Sequence, residues 1–344
     1  MPAITIAVDA MGGDNAPRAI CEGVLMALRE MPDISVILCG PEADLQPLLA
    51  GSEDVAARLT LVDAPEVISM HESPTLAVRR KVNSSMVKAM LEVKEGRAHA
   101  FVSAGSTGAV LAGGILRVGR IRGIDRPALA PVLPGRNHPF LLIDSGANVD
   151  CQPEFLNQFG LMGSIYMEKV MGVANPGVGL VNIGAEEEKG NQQAKDAHRL
   201  MAAQPVYRFT GNVEARDVPS GDTDVVVCDG FVGNVILKYT EGLASALTGM
   251  LKDSILSGGL RGKIGGLLLK PSMRAFKNRM NYEEHGGAPL LGVNGAMVKA
   301  HGSSSALAFK NAVRQARLMV EKDVAGTIRT ELEKLTPAAD DKQQ

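Results

Sequence analysis

Six short apolar runs in this 344-residue chain each lead into a segment rich in Gly, Asn, Asp, Ser and Thr. ITIAVD leads into AMGGDNAP, which carries Asp9, Gly12, Gly13 and Asp14, and HAFVSA leads into GSTGAVLAGG, which places Ser103, Gly105, Thr107 and Gly108 in one short stretch. FLLID ends on Asp144 and continues as SGANVD with Asn148. VGLVNIG supplies Asn182 and runs into AEEEKGN with Lys189 and Asn191, VYRFTG precedes Asn212, and VVVCDG precedes FVGN with Asn234. A tight strand-to-helix turn explains any one such junction. Six with one vocabulary argue for a ligand gathered where α/β sheets hold their substrates, outside the carboxyl ends of the strands.

SAGSTGA (103 to 109) is the most telling of the six. Its glycines let successive N–H groups converge, Ser and Thr add hydroxyls, and the helix that follows turns its positive end toward them, which makes an anion cradle. The GxxxxGK[ST] of a nucleotide P-loop is absent, and GVGLVNIG places its glycines in and around a strand rather than between a strand and a helix, so a small phosphate fits better than ATP or NAD. Glu186, Glu187 and Glu188 suit a solvated helix start. Lys189 beside them could neutralise a bound anion or a developing oxyanion, and Asn234 could donate a second hydrogen bond to that oxyanion. No GxSxG elbow is present and no cysteine sits in a glycine-rich junction, which favours direct attack by a bound substrate over a covalent enzyme intermediate. The six histidines form no HExxH or HxH pair, so no metal site is expected. His301, in KAHGSSSA, fits an acid/base or anion-donor role and equally a structural one.

These residues need a scaffold, and the composition supplies one. With 45% hydrophobic residues and a net charge of −2, the chain is a folded α/β protein without a surface adapted to nucleic acid. Aromatic residues at 3% and the absence of Trp leave little material for base stacking. Runs 4–9, 35–40, 58–63, 99–104, 178–184, 206–211 and 224–230 are apolar on both faces, as a covered parallel sheet requires. Ser73 and Pro74 open a helix expected to run to Gly96. A Pro-Gly turn in PVLPGRNHPFLLID folds 129–133 back on 140–144 and adds an antiparallel pair. The expected fold is a mixed, mostly parallel α/β body of two lobes over 1–335, with a soft boundary between 115 and 150 and a flexible tail at 336–344. Cys21, Cys39, Cys151 and Cys228 have no zinc-like spacing and read as buried thiols of a reducing compartment. No signal-like start and no 18-residue uncharged apolar stretch occurs, which points to a cytoplasmic protein.

Residues 254–282 stand apart: they hold six basic residues and no acidic one. Leu260, Ile264, Leu267, Leu268, Leu269 and Lys270 share this stretch with glycines and Pro271, the composition of a helical hairpin whose apolar tip enters a lipid interface while cations meet anionic head groups. A solvated helix pair packed on a second subunit, or a dock for an acidic protein, would read the same way.

AVDAMGGDNAP (7–17), SAGSTGA (103–109), DSGANVD (144–150), NIGAEEEKGN (182–191), GFVGN (230–234) and HGGAPLLGVNG with HGSS (285–295, 301–304) are together similar to the phosphate acyltransferases of bacterial phospholipid synthesis, usually called PlsX. The resemblance spans nearly the whole chain with no departure in these motifs. It implies transfer of a fatty acyl group from an acyl-carrier-protein thioester to inorganic phosphate, without a cofactor. It also implies a homodimer, a Rossmann-like two-lobed fold similar to isopropylmalate dehydrogenase and phosphotransacetylase, peripheral attachment to the inner face of the cell membrane, and hand-over to a downstream enzyme of acylglycerol-phosphate synthesis. Carried over by position, Lys189 and Asn234 would be the catalytic pair, and the Gly-rich turns would line the substrate site. Arg79, Arg80 and Lys81 could attract the acidic carrier protein, though a solvated helix face explains them equally. Two alternatives remain at this point: a metal- and NAD-dependent hydroxyacid dehydrogenase on the same scaffold, and a non-enzymatic membrane-surface scaffold.

Overall fold

Each of the seven β-branched runs forms a strand in the computed structural model, which describes residues 4–279 and 286–335. The expected tail at 336–344, residues 280–282 of the basic stretch and His285 lie outside the described residues. The first half of the chain runs β1 (Ile4–Asp9), α1 (Arg18–Glu30), β2 (Ile34–Gly40), α2 (Glu42–Leu49), β3 (Leu59–Asp63), α3 (Pro74–Arg80), α4 (Ser85–Lys94), β4 (Ala100–Ser103), α5 (Thr107–Gly113), β5 (Ala128–Leu129), β6 (Val132–Leu133), β7 (Phe140–Ile143) and α6 (Pro153–Lys169). The second runs β8 (Gly177–Asn182), α7 (Gln192–Ala203), β9 (Arg208–Glu214), β10 (Val225–Val227), α8 (Gly230–Ser257), α9 (Gly259–Arg279), β11 (Ala288–Leu291), β12 (Ala296–Lys299), α10 (Ala306–Glu321) and α11 (Val324–Leu335).

The strands make two mixed sheets, ordered β3-β2-β1-β4-β12-β11-β5 and β6-β7-β10-β8-β9. In the first, β3, β2, β1, β4 and β12 are mutually parallel, so their carboxyl ends share one edge. Register there sets Val8 beside Val102 and Ser103 beside Lys299, which brings the ends of β1, β4 and β12 into a row. In the second, β7, β10, β8 and β9 are parallel and send their carboxyl ends into the 144–150, 228–230, 183–190 and 215–217 segments. The chain crosses between sheets at Ala130 and Pro131, after β5, and returns at β11. Alternate residues of β1 face opposite sides, as the two-residue period requires. Ile6 and Val8 pack with Val24 and Phe309 of α1 and α10, while Ala7 packs with Met86 and Met90 of α4.

The structure corrects three sequence expectations. The helix expected from Pro74 to Gly96 is two helices, because Ser84 caps a new start by accepting from Val87 N, and Ser85 N is taken by Glu66 O. Gly96 keeps its expected place, with φ +75° after α4. The hairpin expected within 254–282 is longer and begins earlier, since α8 and α9 form it with the bend at Gly258 and Gly259 (φ +63°). Leu260 stands at that bend, whereas Leu267, Leu268 and Leu269 lie about two turns along α9. Finally, β5, β11 and β12 were not legible: β5 is two residues long, β11 and β12 are four residues each and lie among glycines, and Pro289 sits inside β11, where a sequence reading sees loop. The expected fold-back does form, as Val132 and Leu133 against Leu141 and Phe140.

The start of α8 is set by close backbone approach. A Cβ at Gly230 would meet Asn148 O at 2.7 Å, and one at Gly233 would meet Asp144 O at 1.9 Å. Asp229 caps the helix by accepting from Val232 N at 2.8 Å. Gly233→Ala is therefore expected to cost about 1–3 kcal/mol, and Gly242→Ala, on the same helix with open space around it, to gain up to about 1 kcal/mol; urea denaturation of the two variants measures both.

Candidate active site

Two buried carboxylates build the turns around which the site forms. Asp9, 1% exposed at the end of β1, accepts from Ser103 Oγ at 2.7 Å and from Met11 N at 3.2 Å, and also bonds to the Ser85 side chain. Ser103 Oγ in turn accepts from Gly105 N at 2.9 Å. Burial pushes the Asp9 carboxyl above the usual range against the pull of these donors. Gly12 fits only because it lacks a Cβ, which would lie 2.5 Å from Gly105 N and 2.7 Å from Asp9 Oδ2. Asp144, fully buried after β7, accepts from the N–H groups of Leu129, Gly146, Ala147 and Asn148 and from Asn148 Nδ2. Burial raises this carboxyl too, opposed by its five N–H donors. Leu129 belongs to the first sheet and Asp144 to the second, so this carboxylate joins the two. Ser145 strengthens the joint by donating its N–H and its hydroxyl to Leu129 O.

A cleft of about 310 Å³ opens over this joint, between the carboxyl ends of the two sheets. Thr107, Ser145, Asn234, Lys238, Lys299 and His301 line it. Thr107 is the first residue of α5, whose opening N–H groups have no partner within the helix. Asn234 is held against Gly146, whose φ of +132° carries the chain around the joint. The imidazole of His301 accepts from Ser303 N at Nδ1 (3.3 Å), an arrangement that places the proton of a neutral ring on Nε2. Lys299 is 7% exposed, and burial, then repulsion from Lys238, brings its pKa from the ordinary 10.5 down to about 8. A further hollow of about 250 Å³ adjoins the cleft, shares Leu237, Glu241 and His301 with it, and is lined otherwise by Leu133, Pro134, Thr240 and Ala244.

Of the residues singled out by sequence, the cleft thus brings together Thr107, Asn234 and His301. Asp9, Gly12, Ser103 and Gly105 meet one another but form the buried turn beneath it. Gly108 is a packing glycine, since a Cβ there would lie 2.7 Å from Pro74 Cγ. Gly13 (φ +98°) lies against Gly302 O, and Asp14 N donates to that same carbonyl at 2.8 Å, which ties the first loop to the His301 loop. Asp144 and Asn148 form the joint. Asn182, Asn191 and Asn212 hold the loop that carries Lys189: Asn182 Nδ2 donates to Lys189 O, Asn212 Nδ2 donates to Glu186 O at 2.7 Å, and Asn191 caps α7. Lys189 itself is exposed and lines none of the cleft, so the expected pairing with Asn234 is not formed there. Lys81 is engaged by Glu72 at 2.9 Å. Among the described residues no group of three or more His, Cys, Asp and Glu is placed to hold a metal ion, and the four cysteines are free thiols. The sequence reading missed Lys299 and Lys238. The signal for Lys299 lay in AMVKA, a lysine closing an apolar run.

Residues 4–327 match the family described as fatty acid synthesis protein. The chain is 51% identical over 326 residues to the phosphate acyltransferase of Clostridium beijerinckii, covering 95% of this chain and 98% of that protein. It is 50% identical over 329 residues to the phosphate acyltransferase of Clostridium botulinum strain Alaska E43, covering 96% and 99%. Among solved structures it superposes on EutD phosphotransacetylase from Staphylococcus aureus with a TM-score of 0.60 at 14% identity, covering 92% of this chain and 94% of that one. A phosphotransacetylase from Streptococcus pyogenes gives 0.59 at 16% identity, covering 93% and 94%. At these identities the structural likeness is one of fold: mixed, mostly parallel α/β sheets with flanking helices.

The buried lysine has a thermodynamic consequence. From about pH 8 to 10.5 the unfolded chain keeps a proton on Lys299 that the folded chain has lost, so folding is favoured as pH rises through this window. Wild type is expected to gain roughly 3 kcal/mol across it relative to Lys299→Met, as read from denaturation curves of both proteins at matched pH values.

Proposed function

The chain belongs to the phosphate acyltransferase family, and on that premise we propose that it transfers a fatty acyl group from an acyl-carrier-protein thioester to inorganic phosphate, giving acyl phosphate for phospholipid synthesis. The observation that carries this reading is the cleft, which gathers Thr107 at a helix start, the Asn234 amide and the His301 imidazole from three separate segments around a space with room for phosphate and a reacting carbonyl together. In this reading phosphate lies against Thr107 and the opening N–H groups of α5, which favour an anion. A phosphate oxygen attacks the thioester carbonyl, the C–S bond breaks, and the carrier protein leaves as a thiolate. The enzyme's work is to orient two substrates and to stabilise the tetrahedral oxyanion. Asn234 donates to that oxyanion through its side-chain amide. Lys189 stands on the exposed loop after β8, a strand adjacent to β10, and in this reading its ammonium reaches the oxyanion from that loop once both substrates are bound. The apolar hollow formed by Leu133, Pro134, Leu237 and Ala244 takes the acyl chain next to the carbonyl. No observation favours the dehydrogenase or the purely structural scaffold.

Two outer surfaces complete the reading. Phe231, Val235, Tyr239, Leu243, Leu247 and Leu251 are exposed at four-residue spacing along α8, a continuous apolar stripe that supports a homodimer. Leu260, Ile264, Leu267, Leu268 and Leu269 are exposed near basic residues on α9, which supports contact with an anionic membrane surface. No helix among the described residues is long and apolar enough to cross a membrane.

Trapping acyl phosphate as hydroxamate, with long-chain acyl-carrier protein and phosphate as substrates, tests the chemistry. Asn234→Ala and Lys189→Ala should each lose about 10²- to 10³-fold in kcat while remaining folded; full activity in both rejects the roles. Leu268→Glu should lose sedimentation with anionic vesicles and keep its mass by light scattering, whereas Leu247→Glu should halve that mass.

A further inference from the structure

Lys299 closes β12 beside Ser103 and lines the cleft from a nearly sealed position, 7% exposed. Its ammonium donates to Ala104 O at 3.4 Å and to Ala300 O. Three N–H donors and two carbonyl partners leave one donor over, and carbonyls leave the net charge unbalanced. Among the described residues no carboxylate lies within ion-pair distance of it, and a buried charge without a counter-ion is strongly disfavoured. The acidic groups that act on it electrostatically are Asp14, on the exposed loop after β1, and Asp9, whose carboxylate is engaged by Ser103, Ser85 and backbone N–H groups. His301 faces it from the loop after β12.

The opposite wall adds to the charge instead of relieving it. Lys238, one turn beyond Asn234 on α8, lines the same cleft and repels the Lys299 ammonium. It is itself held by Glu241 at 2.8 Å, so the pair of walls carries one positive charge at the floor and one partly neutralised charge at the rim. Two lysines line one cleft, the buried one with no carboxylate in ion-pair distance among the described residues and the other shared with Glu241, so the lining keeps a net positive charge that an anion can balance.

Resting on the phosphate-transfer reading above, we propose that Lys299 and Lys238 hold orthophosphate dianion between them, Lys299 as its buried charge partner at the cleft floor and Lys238 as the cation at the rim. The phosphate then spans the cleft from the end of β12 to α8 one turn beyond Asn234, which leaves the Asn234 amide itself for the carbonyl under attack. Ser103 and Gly105 lie beside the Ala104 carbonyl that holds this lysine and do not line the cleft, whereas Thr107 meets the anion from the start of α5.

Calorimetric titration of the full chain with inorganic phosphate, without any acyl donor, tests the assignment. Lys299→Met is expected to weaken binding about 10- to 100-fold, the range of a charge-assisted hydrogen bond, and Lys238→Met to weaken it severalfold. Lys252→Met removes the same charge about 21 Å further along α8 and should bind as wild type does. In turnover assays the two cleft variants should raise KM for phosphate and leave KM for the acyl donor within about twofold, a split that a general loss of structure would not produce. Should Lys299→Met fail to fold, Lys238→Met decides alone, because its lysine is exposed and its loss leaves the core intact. Wild-type affinity in the cleft variants overturns the assignment and leaves the acyltransferase reading standing. A wild type that binds no phosphate and forms no acyl phosphate overturns both.

Discussion

Asp144 is the point on which the two halves of this protein turn. Its carboxylate is sealed from water, yet five N–H groups meet it, four from the turn it begins and one from Leu129 in the other sheet. A buried carboxylate is tolerated only when hydrogen bonds replace its water, and here the bonds that do so are the ones that join the sheets. The same carbonyl and turn leave no room for a side chain at Gly233 or Gly230, so α8 starts where the joint allows. Asn234 follows one residue later. The position of the Asn234 amide is thus fixed by a buried carboxylate.

Polar residues in the glycine-rich turns divide between scaffold and lining, and burial decides which. Asp9, Ser103, Asp144 and Asn182 are buried and hold backbone. Thr107 and Asn234 belong to helix starts whose side chains remain accessible. A satisfied buried polar group gives rigidity, which a site that must orient two substrates requires. The exception is Lys299, buried with no carboxylate in ion-pair distance among the described residues; burial lowers its pKa, whereas it raises those of Asp9 and Asp144.

One helix links the chemistry to the outer surfaces. With 28 residues, α8 is about 42 Å long and runs from Asn234 in the cleft, past the hollow at Leu237 and Ala244, to the bend at Gly258. Its exposed apolar stripe and the leucines of α9 stand on the part that projects from the body. An acyl chain lying along this helix would have a short path between the cleft and the apolar surface.

The sequence by itself determined the class of fold and the vocabulary of the site. Seven runs apolar on both faces could only be covered strands, because exposed they would present too much apolar surface. The repeated Gly, Asn and Asp at their ends marked the binding edge, and the motifs marked the family. Which of those residues line the cleft was decided by tertiary structure alone. Ser103 and Thr107 are four residues apart in one motif, yet one is buried under the turn and the other opens a helix, a difference of depth that local sequence does not encode. Lys299 showed in the sequence only as a lysine closing an apolar run, and its depth was hidden for the same reason: its strand is short, lies between glycines and enters the sheet beside β4, to which it is remote in sequence. Register across such distant strands depends on packing of the whole core, and it is that register which places a lysine in the lining of the cleft.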